Sequence, residues 1–273
     1  MLPFAFSIAV LSLAQALVVA LPRADPFPML RRLRAGAWAA IPALSIVAVV
    51  FAVSASSRVA QGLTYLALVA VPPLAAIGLG WVSRGSRPLM ALAVGPLFAL
   101  AWVEHRALSG ELAGLVLSGL SCVTLGALLA GVAPARALKV GIVLMAAIDT
   151  GLVVADLLQA PNQVLNAAHP AAGLPRLQRA AFGSAVMGYG DLFVAGVLGA
   201  VLAPRPAFQR QAALVAAALA LAFDLLFFVV RELPATVPIA LTLILLELAE
   251  RRRARVGWGR AGEPRAKAFL RSS

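Results

Sequence analysis

Long apolar runs recur along the whole sequence and limit what this chain can fold into. Nine runs of roughly 20 residues alternate with short gaps that contain proline, glycine and charged residues. An α-helix rises about 1.5 Å per residue, so a run of this length crosses the roughly 30 Å of hydrocarbon in a bilayer. We therefore predict an all-α membrane protein with nine transmembrane helices. The predicted spans, numbered 1 to 9, are 2–21, 36–55, 60–82, 88–103, 112–133, 139–159, 180–203, 211–230 and 234–249.

The composition agrees with a membrane protein. Of the 273 residues, 62% are hydrophobic and 12% are charged, and the mean hydropathy is +0.95. The formal net charge of +12 does not indicate nucleic-acid binding, because the basic residues lie in the short gaps and at the C-terminal end. We expect the lipid bilayer as a partner, no nucleic acid, one membrane domain over 1–250 and a basic tail over 251–273.

Lysine and arginine are distributed unevenly between alternate gaps. The gaps after spans 1, 3, 5 and 7, together with Lys139 at the start of span 6 and with the tail, hold 18 of these residues, whereas the other gaps hold 5. Basic residues are enriched on the cytoplasmic side of membrane proteins, so this pattern predicts that the N-terminus lies outside and the C-terminus in the cytoplasm. The strong preference for arginine and the short gaps favour a multi-pass protein of a bacterial plasma (inner) membrane.

Four aspartates lie inside predicted spans: Asp149 and Asp156 in span 6, Asp191 in span 7 and Asp224 in span 8. An ionisable side chain near the bilayer centre costs about 2.5–3.5 kcal/mol on insertion scales, so each aspartate is a candidate functional group. Asp156 is only four residues from position 160, where span 6 meets the outer interface, so it is expected to reach that interface. For Asp224 we favour a structural acid that is protonated or hydrogen-bonded.

Asp149 and Asp191 match in predicted depth. Each is eleven residues from the outer end of its span, counted to Ala160 and to Ala180, or about 16 Å along a helix axis. Two close carboxyls share one proton, because both cannot ionise easily. An ionised member then activates water while a protonated member polarises a carbonyl, which is aspartyl hydrolysis. A pair that only joins two helices, or that relays protons, remains an alternative.

The glycines around the second aspartate carry a family resemblance. Gly188 and Gly190 flank Tyr189 directly before Asp191, and glycine permits close backbone approach. "GYGD" resembles the Gly-x-Gly-Asp motif of the presenilin and signal peptide peptidase family of intramembrane aspartyl proteases. That family has nine spans, with its catalytic aspartates in spans 6 and 7. It also places a Pro-Ala-Leu motif at the start of span 9, where this chain has Pro234, Ala235 and Thr236.

The resemblance implies an intramembrane aspartyl endopeptidase that cleaves transmembrane segments of other proteins. It implies that Asp149 and Asp191 form the catalytic pair. It implies that Gly188, Tyr189 and Gly190 shape the site, and that residues 234–236 position substrate backbone. No metal or organic cofactor is implied. The predicted orientation resembles that of signal peptide peptidase rather than that of presenilin.

Three alternatives remain open at this point. Asp156 precedes the next gap more closely than Asp149 does, so it is the second candidate for the first catalytic aspartate. A prepilin-peptidase-like enzyme also uses two aspartates and Gly-x-Gly-Asp, but those enzymes usually carry a lysine two residues after that aspartate, where this chain has Phe193. A non-enzymatic membrane protein such as a proton-coupled transporter would use the buried acids to carry protons.

Overall fold

The computed structural model describes residues 3–157, 159–168, 170–171, 173–230 and 233–261. The chain is mostly helical, which confirms the predicted all-α class. A short antiparallel hairpin, β1 (Arg179–Phe182) and β2 (Ala185–Gly188), interrupts the helices. The helices are α1 (Phe4–Ala20), α2 (Ile41–Ala55), α3 (Ser57–Ile77), α4 (Val94–Val103), α5 (Leu108–Val132), α6 (Ala135–Val154), α7 (Gln159–Ala167), α8 (Tyr189–Leu202), α9 (Pro206–Asp224) and α10 (Val237–Ala261).

Five helical segments in the described part of the chain are long and apolar enough to cross a membrane, so the protein is membrane-embedded. They are Gly36–Val53, Arg58–Val82, Leu108–Val132, Ala135–Val154 and Pro206–Phe228. Three further apolar helices are shorter: Phe4–Ala20, Pro88–Val103 and Tyr189–Leu202. The predicted number of nine full-length spans is therefore not confirmed.

Predicted span 4 coincides with the apolar helical segment Pro88–Val103, in which a 3₁₀ turn, Pro88–Ala93, precedes the short helix α4. Other helices differ from the predicted spans in their bounds. Helix α6 ends at Val154 rather than near 159, so Asp156 lies beyond the helix. Helix α10 continues through the basic segment to Ala261, and the rest of the predicted tail, 262–273, lies outside the described residues.

The first nine residues of predicted span 7 are not helical. They form most of the β-hairpin, in which Phe182 pairs with Ala185 and Arg179 pairs with Gly188. Gly183 has a positive φ of 59°, which a residue with a side chain adopts only with strain, and it makes the tight turn. Strand β1 packs against α5 and β2 against α1. One face of the hairpin is therefore buried, whereas its turn and alternate residues of β2 are exposed.

Helix α8 lies at the centre of the molecule, and most of its residues are buried. Glycines allow its backbone to touch both neighbours: Gly196 meets the carbonyl of Cys122 on α5, and Gly199 meets the carbonyl of Val19 on α1. A β-carbon at either glycine would collide with backbone, which cannot move aside as a flexible side chain can. These two glycines therefore set how closely α8 packs between α1 and α5.

Candidate active site

Asp149 is buried in α6, with 6% of its surface exposed. It lies five residues before the end of that helix at Val154. The hydroxyl of Thr236 donates a hydrogen bond to Asp149 Oδ2 at 2.6 Å, and Thr236 itself is completely buried. The Asp149 side chain is thus hydrogen-bonded directly to the segment that precedes α10.

Asp191 lies in the first turn of α8, directly after the hairpin. The backbone N–H of Gly188 donates to Asp191 Oδ2 at 3.0 Å, which closes the first turn of the helix. A β-carbon at position 188 would approach that same oxygen to 3.0 Å, a tight contact. Glycine therefore leaves room for the carboxyl to reach the N–H of residue 188.

The structure brings Asp149 and Asp191 close enough for the charge of one carboxyl to act on the other. Neither residue lies at the predicted eleven residues from the end of its helix. Asp149 is five residues from the end of α6, and Asp191 is the third residue of α8. Both helices are shorter at this end than the apolar runs suggested.

Tyr189 and Gly190 fix how the start of α8 packs. The hydroxyl of Tyr189 shares a 2.7 Å hydrogen bond with Ser121 Oγ on α5, and the Cys122 thiol lies 3.8 Å from the Tyr189 carbonyl. A β-carbon at Gly190 would lie 3.6 Å from the terminal methyl of Met145, one turn before Asp149 on α6. Tyr189 thus anchors the second aspartate to α5, while Gly190 faces the helix of the first.

Pro234, Ala235 and Thr236 form a turn ahead of α10 rather than its first helical residues. The carbonyl of Pro234 accepts from the N–H of Val237 at 3.1 Å. The carbonyl of Thr236 accepts the first helical hydrogen bond, from the N–H of Ala240 at 3.1 Å. Thr236 thus lies directly ahead of the first helical residue, Val237, and its side chain contacts Asp149.

Gln15, on α1, is a site residue that the sequence analysis missed. Its side-chain amide donates to the carbonyl of Asp191 at 3.1 Å and to the carbonyl of Ala235 at 3.0 Å. Only 1% of its surface is exposed. One amide group therefore holds the backbone of the second aspartate and that of the Pro-Ala-Thr turn together. A lone glutamine inside an apolar helix is the signal that would have identified it, because a buried amide needs partners.

The other two aspartates within predicted spans lie apart from this arrangement. Asp156 is exposed and has a positive φ of 58°, in the turn after α6. Asp224 ends α9 and accepts a 2.8 Å hydrogen bond from the hydroxyl of Ser12 on α1. Within the described ranges, no three His, Cys, Asp or Glu side chains come together as metal ligands.

Comparisons with protein-family models, with curated proteins and with solved structures find no match in any of the three. What the site can do is therefore derived from its own side chains. The site contains two neighbouring carboxyls. One accepts a hydrogen bond from a hydroxyl, and the other accepts one from a backbone N–H. This set suits proton transfer near a bound polar group.

Proposed function

We propose that this protein is an intramembrane aspartyl endopeptidase of the presenilin and signal peptide peptidase type. The observation that carries the proposal is the proximity of Asp149 to Asp191 within the "GYGD" context, with Thr236 of the Pro-Ala-Thr turn bonded to Asp149. Three segments that are distant in sequence, each singled out for a separate reason, converge on one pair of carboxyls.

The reaction uses one proton shared by the pair. The ionised carboxylate removes a proton from water, and the water oxygen bonds to the carbonyl carbon of the scissile peptide. The protonated carboxyl gives its proton to the carbonyl oxygen, which produces a geminal diol. The C–N bond then breaks as the first carboxyl protonates the leaving nitrogen and the second takes back a proton from a diol hydroxyl. The products are a carboxylic acid and an amine, and the pair regains its starting state.

The surrounding groups hold the pair in position. The Thr236 hydroxyl and the Gly188 N–H each occupy one carboxyl oxygen, which leaves the other oxygen of each carboxyl for water and substrate. Gln15 fixes the backbone on both sides of this space. Such preorganisation supports catalysis, because the donors do not need to reorient during the reaction.

In the proposed topology the chain crosses the membrane nine times, with the N-terminus outside and the C-terminus in the cytoplasm. The three shorter apolar helices and α10 then complete crossings with adjoining non-helical segments, as the hairpin does for α8. The aspartate pair lies toward the outer side, where α6 ends and α8 begins. The substrates are the transmembrane segments of other membrane proteins.

The test uses purified full-length protein and a panel of single-span substrates, with and without an aspartyl-protease transition-state analogue. We expect cleavage that the analogue blocks. Asp191→Asn and Asp149→Asn keep side-chain shape but remove the ionisable group, and each is expected to abolish cleavage without unfolding the protein. Asp156→Asn is the matched control, and it is expected to retain activity because its side chain is exposed beyond α6.

Two results would contradict the proposal. Full activity in Asp191→Asn would remove the second aspartate from the mechanism. Absence of cleavage, combined with proton-coupled flux in vesicles that depends on Asp149 and Asp191, would favour a transporter. Loss of activity in Asp156→Asn but not in Asp149→Asn would keep aspartyl hydrolysis and exchange the first aspartate.

A further inference from the structure

A polar cleft of about 430 Å³ lies beside the hairpin that leads into Asp191. The residues that line it come from the end of α4, the connection between α4 and α5, the first turns of α5, residues 170–171 and 173–176, and strand β1. Its volume falls within the roughly 300–1,000 Å³ typical of small-ligand sites. None of the residues assigned to the proposed reaction lines it, so it requires a separate explanation.

Charge in this cleft is mainly positive. Arg106, Arg176 and Arg179 line it together with a single carboxylate, Glu111. The Oε2 atom of Glu111 accepts a 2.7 Å hydrogen bond from the N–H of Gly183 in the hairpin turn. Burial, and then the neighbouring charge of Arg176, lower the pKa of Arg179, while Glu111 acts in the opposite direction. Because three arginines line the cleft with one carboxylate, an anion that enters it meets a net positive charge.

The hairpin links the cleft to Asp191. Arg179 stands opposite Gly188 in the antiparallel ladder, and such partners have Cα atoms about 4.5–5.5 Å apart. Gly188 in turn donates its N–H to Asp191. A polypeptide that reaches the aspartates from the outer side therefore has its next few residues close to the arginines.

We propose that this cleft binds carboxylate side chains in the extramembrane residues that adjoin the outer end of a substrate's transmembrane segment. The inference rests on the proposed protease function and specifies which substrates it prefers. Arginine suits this task, because its planar guanidinium donates two parallel hydrogen bonds to one carboxylate. A flanking acid is delivered to the cleft by the same chain that occupies the active site, so its effective concentration there is high.

The experiment compares three single-span substrates that differ only in the residues flanking the outer end: Glu, Gln or Lys. The enzymes are wild type, the double variant Arg106→Glu with Arg176→Glu, and the matched control Arg58→Glu. Arg58 is exposed and predicted on the same face, but it does not line the cleft. Arg179 is left unchanged because it is partly buried.

For wild type we expect KM to rise in the order Glu, Gln, Lys, by roughly fivefold from first to last, the size expected of exposed ion pairs. We expect the order to reverse in the double variant, and both the order and the kcat values to persist in Arg58→Glu. Equal KM values in wild type, or the wild-type order in the double variant, would overturn the inference.

A binding arm separates this inference from the protease proposal. The same three substrates, carrying a photo-crosslinker, are bound to Asp191→Asn protein, in which cleavage is not expected. If the arginine substitutions reverse the charge preference in crosslinking, the result supports carboxylate binding in the cleft even if the wild-type protein cleaves none of the substrates. A different result would overturn the inference and assign the cleft to lipid headgroups. In that case substrate crosslinking depends on phosphatidylglycerol in the vesicles but not on substrate charge, and the double variant removes the dependence on the lipid.

Discussion

At the scale of single residues, Gln15 is the clearest positioning residue of the proposed site. Its amide makes two hydrogen bonds, to Asp191 and to Ala235, and leaving two buried carbonyls unpaired costs about 1–3 kcal/mol each. We expect Gln15→Leu to lower kcat much more than it changes KM, because the backbone of the second aspartate loses its fixed position. Steady-state kinetics on a single-span substrate measures this split. Gln15→Glu should also have a lowered kcat, because a carboxyl group donates at most one hydrogen bond where the amide donates two.

Gln209 provides the matched control for that prediction. It is also a fully buried glutamine, and its amide donates to the carbonyls of Val19, Pro22 and Gly199. Gln209→Leu is therefore expected to lower thermal stability to a similar degree while it leaves kcat of the folded protein unchanged. Equal kinetic effects of the two substitutions would mean that Gln15 has a general structural role only.

Sequence and structure agree unevenly on these residues. Asp149 and Asp191 were identifiable because an ionisable group stands out in an apolar run, and the structure places them together. Their roles in catalysis stay predictions. Gln15 belongs to no motif, and its partners are 176 and 220 residues away in the chain. Only a three-dimensional arrangement reveals such contacts.

At the scale of elements, the hairpin before α8 shows that an apolar segment need not be helical, because residues 180–188 are predicted as part of a span and form strands and a turn. A short apolar run fits a buried strand as well as part of a helix. The pattern "RAAFGSAVMG" nevertheless carries a turn signal, since Gly183 and Ser184 separate the apolar run 180–182 from the apolar run that begins at Ala185. Glycine followed by serine between two strand-like runs is typical of a tight hairpin. The local sequence thus predicts the turn, whereas its place between α1 and α5 depends on packing.

The close contact of α5 with α8 leads to a stability prediction. In Gly196→Ala the new β-carbon would collide with the carbonyl of Cys122, so the two helices must separate. We expect a loss of about 1–3 kcal/mol, as for other overpacked sites. Thermal unfolding in detergent measures it, with Gly62→Ala on α3 as control, because a β-carbon there has nothing within 4 Å. A stable Gly196→Ala protein would show that the helices adjust freely.

The turn before α10 gives a second prediction for an element. Pro234 precedes the helix, and Pro238 is its second residue. Extending α10 backwards by a turn would place the Pro238 ring against the carbonyl of residue 234, so Pro238 alone blocks a longer helix. We therefore expect Pro234→Leu to retain most activity. The double variant with Pro238→Leu should lose activity while it stays folded, because Thr236 leaves Asp149. Circular dichroism and cleavage rates test this pair, and equal rates in both variants would contradict it.

At the scale of the whole molecule, polar contacts concentrate at two opposite ends of the predicted topology. At the predicted inner end Arg84 donates to Gln209 Oε1 and to the Ala203 carbonyl. Two ion pairs, Lys139 with Glu247 and Arg205 with Glu250, fasten α10 at that end. The arginine cleft and the aspartate pair belong to the predicted outer end. The sequence predicts this division, because the basic residues lie in the gaps between predicted spans. It does not predict which of those residues form ion pairs.

The last prediction concerns orientation. Ala171 is exposed and predicted outside, whereas Ala35 is exposed and predicted in the cytoplasm. The native Cys122 is buried, so it should give little background. A membrane-impermeant thiol reagent added to intact cells is therefore expected to label Ala171→Cys, and to label Ala35→Cys only after permeabilisation. A reporter fused after Ser273 should be active in the cytoplasm. The opposite pattern would place the aspartate pair toward the cytoplasm, as in a prepilin-peptidase-like enzyme, and would move the arginine cleft to the inner face.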